Sequence, residues 1–351
     1  MTKQHSRESI YRRKNHHIYV ALRGDVEFVS LTSGFEEYQL GHCALPEINL
    51  SDVTTATVFL GKTVSAPLLI SPITGGTPDA FRILTNIAEA ARDKGITLGV
   101  GSQRIALENP DLEQFFKIRD VAGSVPVLAN LGAVQLNYGM TIDHCRRAVE
   151  MLEADALVLH LNPLQECLQA GGDTDFSGLL AKIEGVSRLL PVPVIVKEVG
   201  FGISVEVARQ LAGVGVAAID LAGAGGTSWA RVEAEVPANT AQKSVAQPFV
   251  SWGVPTARLL AEYGKSFEIP LIASGGIRSG VDVAKAVAMG ASLAGMALPF
   301  LKAANRSAEA VSELIEQLTR ELRIAMFCTG CADIKQLRSV ELVHLKQQAG
   351  V

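Results

Sequence analysis

From Ala66 onward, short apolar runs return again and again along the chain: APLLISP (66–72), GITLGVGS (95–102), VPVLANLG (125–132), ADALVLHLN (154–162), PVPVIVKEVG (191–200), GVAAIDLAG (215–223), EIPLIASGG (268–276) and GASLAGMA (290–297). Between most of them, apolar residues fall at helical spacing, as in Phe81, Leu84, Ile87, Ala88 and Ala91, or Val205, Ala208, Leu211 and Ala212. A strand that reads as a continuous apolar run and is followed by a helix belongs to a parallel sheet covered on its outer face. Eight such units predict a closed (β/α)8 TIM barrel of the α/β class rather than an open doubly wound sheet. Ser307 to Phe327 reads as the eighth outer helix. The stretch from Ala224 to Gly253 is too long for an ordinary βα loop and predicts a lid after strand 6. The division that follows is an N-terminal arm and cap (1–65), the barrel (66–327) and a C-terminal tail (328–351).

Composition agrees with this picture. The chain has 351 residues, 48% of them hydrophobic, enough for one barrel-sized core. Thirty-two glycines against 5% aromatic residues suggest many βα turns around a core of Val, Leu, Ile and Ala. A net charge of -4 gives no reason to expect nucleic acid or a membrane surface as partner. No apolar run is long enough to span a bilayer, and MTKQHSRESIYRRKNHH lacks the apolar core of a signal peptide, so a cytoplasmic location is expected. The cysteines (Cys43, Cys145, Cys167, Cys328, Cys331) are scattered and odd in number, unlike a secreted disulfide framework. Cys328 and Cys331 form a CxxC without a second pair to complete a zinc site, and it reads as incidental.

In such a barrel, chemistry sits at the C-terminal ends of the strands. Strand 1 ends in Thr74, Gly75 and Gly76; strand 2 in Ser102, Gln103 and Arg104; strand 3 in Asn130. Strand 4 offers His160, Asn162, Gln165 and Glu166, strand 5 Lys197 and Glu198, and strand 6 Asp220 followed by Gly225, Gly226, Thr227 and Ser228. That many polar groups at one rim imply a polar ligand of some size. After strand 7, backbone N–H groups of Gly275, Gly276, Ile277 and Arg278 could approach an anion, beside the turn at Ala297 to Pro299; this is where a barrel keeps a phosphate, although Gly-Gly can also be only a tight turn.

Lys197, within an apolar strand, must meet an anion. A flavin edge, an internal acid or a Schiff-base carbonyl would each serve. Glu166 at a phosphate-binding mouth either pairs with an arginine or holds Mg²⁺, which commonly binds one or two carboxylates together with phosphates. The basic N-terminal segment (Lys3, Arg7, Arg12, Arg13, Lys14, Arg23), interleaved with His16, His17 and Tyr19, is either a solvated face or an arm that folds over an anionic ligand.

Taken together, RRKNHH (12–17), SPITGGT (71–77), GSQR (101–104), ANLGA (129–133), LHLNPLQE (159–166), VKEVGFGIS (196–204), IDLAGAGGTSWARVE (219–233) and SGGIRSG (274–280) closely resemble the type 2 isopentenyl-diphosphate isomerases, FMN-dependent (β/α)8 enzymes. The resemblance runs from about residue 12 to about 300. LHLNPLQE and the GGTSW start of the lid are its most specific parts. It implies interconversion of isopentenyl and dimethylallyl diphosphate in isoprenoid biosynthesis, with FMN, Mg²⁺ and NADPH as cofactors, the last only to reduce the flavin.

The resemblance also implies roles. Pro72, Ile73, Thr74, Ser102, Asn130 and Lys197 would line the flavin, while Thr227, Gly275, Gly276, Ile277, Arg278, Ala297 and Leu298 would hold its phosphate. Arg13, Lys14, His17, Ser102, Gln103 and Arg104 would bind the diphosphate, His160 and Gln165 would lie along the substrate as catalytic candidates, and Glu166 would bind the metal. FMN itself is the implied main acid and base. The expected partners are a small-molecule diphosphate and further copies of the chain, as a tetramer or octamer. Two departures stand out: many relatives read AMTGG where this chain has PITGG, so Pro72 has no N–H to offer, and Leu298 stands where other FMN barrels place an arginine, so the second phosphate turn works through backbone alone.

Rival readings make different demands. A hydroxy-acid oxidase or dehydrogenase of the same barrel needs a base, usually His, after strand 6, and no His lies between Leu161 and Val343. An inosine-monophosphate-dehydrogenase-like enzyme needs a cysteine after strand 6, and none lies between Cys167 and Cys328. A non-catalytic flavin-binding protein has no use for Gln165, Glu166 or the basic arm.

Overall fold

The computed structural model describes residues 16–235 and 240–345. Its centre is a closed parallel barrel of eight strands. We number these β1 (Leu68–Ile70), β2 (Thr97–Gly99), β3 (Val127–Gly132), β4 (Ala156–Leu161), β5 (Val194–Glu198), β6 (Ala218–Asp220), β7 (Leu271–Ser274) and β8 (Leu293–Met296). Each lies within one of the eight apolar runs, and β8 closes on β1 through Ala294–Leu68, Gly295–Leu69 and Met296–Ile70.

The helices form where the periodicity places them, and local chemistry sets their ends. Pro78–Lys94 starts at Thr77, whose hydroxyl accepts from the Ala80 N–H, and stops at Gly95 in the left-handed region, φ 66°. Its inner face, Ile83, Leu84, Ile87, Ala88 and Ala91, is buried against the strands; each of the larger side chains contributes about 1.5–3 kcal/mol by leaving water. The eighth helix runs Ala308–Phe327 with Ser307 as its cap rather than its first residue. It is preceded by a short extra helix, Leu298–Ala304, directly after β8. After β2 the pattern is weakest, and there the chain makes only the short helices Arg104–Glu108 and Arg119–Ala122 with a 3-10 stretch between them.

Strand alternation organises the interior. Leu69, Leu128, Val158, Ile195, Ala218, Ile272 and Leu293 form an apolar layer inside the barrel, closed below by Phe59 and Val64 of the hairpin Thr57–Phe59/Lys62–Val64. Two residues further along the same strands, and so on the same inward face, stand Ser71, Asn130, His160, Lys197, Asp220, Ser274 and Gly295. The barrel is thus apolar in its middle and polar at its C-terminal rim.

The segment read as a lid contains helices Trp229–Glu235 and Thr240–Ala246 and a 3-10 turn, Gln247–Phe249. The N-terminal cap runs along its start: the Phe28 N–H donates to the Gly226 carbonyl (2.9 Å), and the Ser228 N–H donates to the Val26 carbonyl (2.8 Å). The region after residue 327 is more than a tail. It carries helix Ile334–Ser339 and strand Leu342–His344, which pairs antiparallel with Tyr38–Leu40 of the cap. Among the described residues, no helix is long and apolar enough to cross a membrane. All five cysteines are unpaired.

Candidate active site

A cavity of about 1750 Å³, counting its open mouth, lies above the polar ring at the C-terminal ends of the strands. Its floor includes Ser71, Asn130, His160, Lys197, Ser274 and Gly295; residues 16–23 are helical and contribute His17, Ile18 and Ala21 to the mouth. Nearly all the residues expected at the site line it: Pro72, Ile73, Thr74, Ser102, Arg104, Asn130, His160, Gln165, Glu166, Lys197, Thr227, Gly275, Gly276, Arg278, Ala297 and Leu298. Arg13 and Lys14 lie outside the described residues.

Most of the side chains of the polar ring pair with one another. Lys197 Nζ is 3.2 Å from Asp220 Oδ2 and donates to Ser274 Oγ (3.3 Å), whose hydroxyl donates to Asp220 Oδ1 (2.5 Å). The internal acid envisaged for Lys197 is therefore Asp220, which the β5–β6 register sets directly opposite it, while the lysine also faces the cavity. Next to it, His160 Nδ1 donates to Asn130 Oδ1 at 2.8 Å. Ser71 Oγ is buried and has no hydrogen-bond partner among the described residues.

Two expectations need correction. Gln103 is not on the cavity wall: fully buried, its Nε2 donates to the Ala148 carbonyl (2.8 Å) and its Oε1 accepts from the Asn130 N–H (2.9 Å), so its side chain is a strut between helix and strand. The Arg278 N–H is already spent on Asp282 Oδ2 (3.1 Å), which caps the next helix, and the Arg278 guanidinium pairs with Glu27 of the cap. The N–H groups of Gly275, Gly276 and Ile277 have no acceptor among the described residues; the Ile277 side chain is core. The glycine pair is also required by loop packing. Gly275 and Gly276 have φ of 101° and 76°, and a Cβ on Gly275 would sit 1.9 Å from the Gly223 carbonyl oxygen.

On the opposite wall, Glu166 Oε1 accepts from Asn162 Nδ2 (2.8 Å), and its Oε2 accepts from the Asp173 N–H (2.8 Å) and Gln169 Nε2 (3.3 Å). Arg104 is gripped by Glu108 (2.8 Å) and Asp173 (2.6 Å), and these carboxylates outweigh burial and hold its pKa above the usual arginine value. Gln165 Nε2 donates to Glu233 Oε1 (3.1 Å), and His17 Nε2 lies 3.4 Å from the same oxygen. The His17 ring meets Trp229 edge to face, with centroids 5.2 Å apart. Glu233 and Trp229 were not among the expected site residues. Their signal was a carboxylate at helical spacing from an aromatic in the lid, WARVE, but nothing in the sequence says which face of that helix turns inward. Among the described residues no three metal-ligating side chains converge.

Glu198, next to Lys197 but on the outer face of β5, is buried, and desolvation pushes its carboxyl up to about 7 against the pull of the backbone N–H groups around it.

Residues 164–344 match the FMN-dependent dehydrogenase family. The chain is 50% identical over 327 residues to the isopentenyl-diphosphate delta-isomerase of a Nostoc species, covering 93% of both chains, and 49% identical over 342 residues to that of Stutzerimonas stutzeri, covering 97% of this chain and 99% of the other. The chain belongs to the isopentenyl-diphosphate delta-isomerase family. Solved structures of similar fold include a mandelate oxidase variant (TM-score 0.65, 20% identity, covering 96% of this chain and 99% of the other) and the lactate oxidase of Pediococcus acidilactici (TM-score 0.65, 16% identity, covering 96% and 94%). At that identity the likeness is one of barrel architecture; the isomerase family membership rests on the near full-length relatives.

Proposed function

We infer that this delta-isomerase family member interconverts isopentenyl diphosphate and dimethylallyl diphosphate. The observation that carries the reading is the grouping of Gln165 and His17 on the cavity wall around Glu233, to which Gln165 donates and near which His17 lies, together with the Lys197, Asp220 and Ser274 cluster that suits a flavin. Moving a terminal double bond requires a proton on one carbon and removal of another two carbons away, in a site that excludes water. Glu233 is a buried carboxylate able to hold or release a proton, Gln165 orients it by donating to Oε1, and the Trp229 ring closes the wall with an electron-rich face suited to positive charge on the substrate.

The residues present fit FMN. The unpartnered Ser71 hydroxyl, the inward Lys197 ammonium and the open N–H groups of Gly275 to Ile277 offer a donor set for a polar ring system and a phosphate, beside the turn and short helix after β8. Reduced FMN, brought to that state by NADPH, would supply an electron-rich ring able to exchange a proton and to face a cationic transition state.

Glu166 fits Mg²⁺ held by one carboxylate, water and substrate phosphates rather than by a cage of protein ligands. Arg104, with Arg13 and Lys14 of the arm, would hold the diphosphate, whose remote binding orients the five-carbon tail.

The test is direct. Reduced holoprotein supplied with isopentenyl diphosphate and Mg²⁺ should form dimethylallyl diphosphate with no net oxidation of the flavin. Reduction of the oxidised flavin by 2-hydroxy acids, with no isomerisation, would instead place the chain with the hydroxy-acid oxidases.

A further inference from the structure

Glu198 is a buried carboxylate that none of the proposed chemistry uses. Alternation along β5 sends Lys197 inward and Glu198 outward, where it bends under the loop that follows. Its Oε2 accepts from four successive backbone N–H groups: Val199 (2.6 Å), Gly200 (2.7 Å), Phe201 (2.6 Å) and Gly202 (3.3 Å). Gly200 and Gly202 stand at φ 145° and 95°, so the loop curls into the concave array of donors that elsewhere binds anions. Here the chain fills that concavity with its own side chain. No salt bridge reaches Glu198 among the described residues, and the adjacent Lys197 is committed to Asp220.

What rests on this loop makes the arrangement matter. Val199 and Gly200 are cavity wall. The lid returns onto it, with the Val254 N–H donating to the Phe201 carbonyl (3.0 Å), and a Cβ on Gly253 would lie 3.0 Å from Phe201 Cα. The lid also departs over it, since a Cβ on Gly200 would lie 2.9 Å from the Thr227 carbonyl oxygen. The Phe201 ring meets Phe28 of the cap. Both ends of the lid and the cap therefore seat on four residues that one oxygen atom holds together.

We propose that Glu198 is a positioning residue for the isomerase reaction: its carboxylate oxygen fixes the loop 199–202 as the seat of the lid, and through the lid it sets Trp229 and Glu233 against the substrate. The proposal rests on the functional reading above only for the identity of the substrate. An acceptor oxygen is what the loop requires, so Glu198→Gln, which keeps one, should preserve function, while Glu198→Ala, which has none, should not.

The experiment compares the holoenzymes of wild type, Glu198→Gln and Glu198→Ala by flavin absorbance, by kcat and KM for isopentenyl diphosphate, and by the rate of tryptic cleavage in the lid at Arg231 and Lys243. In Glu198→Ala the flavin stays bound, KM rises about ten-fold, which corresponds to about 1.4 kcal/mol, and lid cleavage accelerates by a similar factor. Glu198→Gln stays within about three-fold of wild type on every count. Wild-type KM and cleavage in Glu198→Ala would overturn the proposal. So would loss of flavin in step with substrate, which marks a general structural role. If the alanine variant does not fold, Glu198→Asp, one carbon too short to span four donors, takes its place, and wild-type behaviour in it overturns the proposal equally. The cleavage comparison needs no turnover, so a wild-type protein inactive on isopentenyl diphosphate would refute the functional reading and leave the seat of the lid to be decided by trypsin.

Discussion

Lys197 faces two ways, and a pair of substitutions separates them. Its ammonium lies 3.2 Å from Asp220, and the two side chains are 10% and 2% exposed. Removing one partner of a buried pair leaves the other charge uncompensated, at a cost of about 3–5 kcal/mol. Lys197→Met keeps the stem and removes the charge, so the flavin-free protein should lose about that much stability in urea unfolding. Asp220→Asn, which keeps an acceptor for Ser274 but strands the lysine, should lose a comparable amount. The double variant leaves no orphaned charge and should recover most of the loss, so that its effect falls far short of the sum of the two single losses.

FMN affinity should respond differently. If Lys197 also donates to the flavin, the double variant still lacks that donor and loses a charge-assisted hydrogen bond of about 1.5–3 kcal/mol, a rise in Kd of roughly 10- to 150-fold by fluorescence titration. Recovered stability with Kd within about three-fold of wild type would refute the reasoning: Lys197 would then be only half of an internal ion pair.

Three further outcomes are expected. Glu233→Gln should lower kcat by about 10²- to 10⁴-fold with little change in KM or flavin content, the range for a lost general acid or base; a change under about three-fold in steady-state assays would reduce Glu233 to a support for Gln165. Arg104→Ala should raise KM for the diphosphate by about 10- to 100-fold and leave kcat and FMN binding near wild type, since a charge-assisted contact of about 1.5–3 kcal/mol is removed far from the reacting carbons. The Glu198 carboxyl, raised from 4.5 to about 7 by burial, keeps its proton more firmly in the folded than in the unfolded chain. Stability is therefore greatest below about pH 4.5 as far as this group is concerned, and falls by up to about 3 kcal/mol as pH rises through 7. Denaturation at pH 5 and pH 8 should show that fall in wild type and a flatter profile in Glu198→Gln.

The strands were legible because each is a continuous apolar run, and burial on both faces leaves no other reading. The rim followed from the same pattern: inward positions alternate, so the first polar residues beyond an apolar layer, Asn130, His160 and Lys197, had to face the mouth. Less legible was whatever depends on which side chain meets which across the barrel. Asp220 was visible at the end of β6, but its pairing with Lys197 comes from strand register. Gln103 sits between two cavity residues, Ser102 and Arg104, yet turns into the core where the strand passes into a helix. Glu233 and Trp229 were hidden because a seven-residue lid helix, Trp229–Glu235, has too few turns for periodicity to mark its inner face. The glycine pair was legible, and only the structure shows that its loop also packs against the Gly223 carbonyl.

The central claim is that protons, and not electrons, pass to and from the five-carbon tail within this cavity. The measurement that tests it most directly is incubation of the reduced holoenzyme with isopentenyl diphosphate and Mg²⁺ in D₂O, with mass analysis of the recovered diphosphates and absorbance of the flavin before and after. The account predicts deuterium in dimethylallyl diphosphate and a flavin still reduced at the end. Product free of solvent deuterium, or product formed only as the flavin is oxidised, would contradict it.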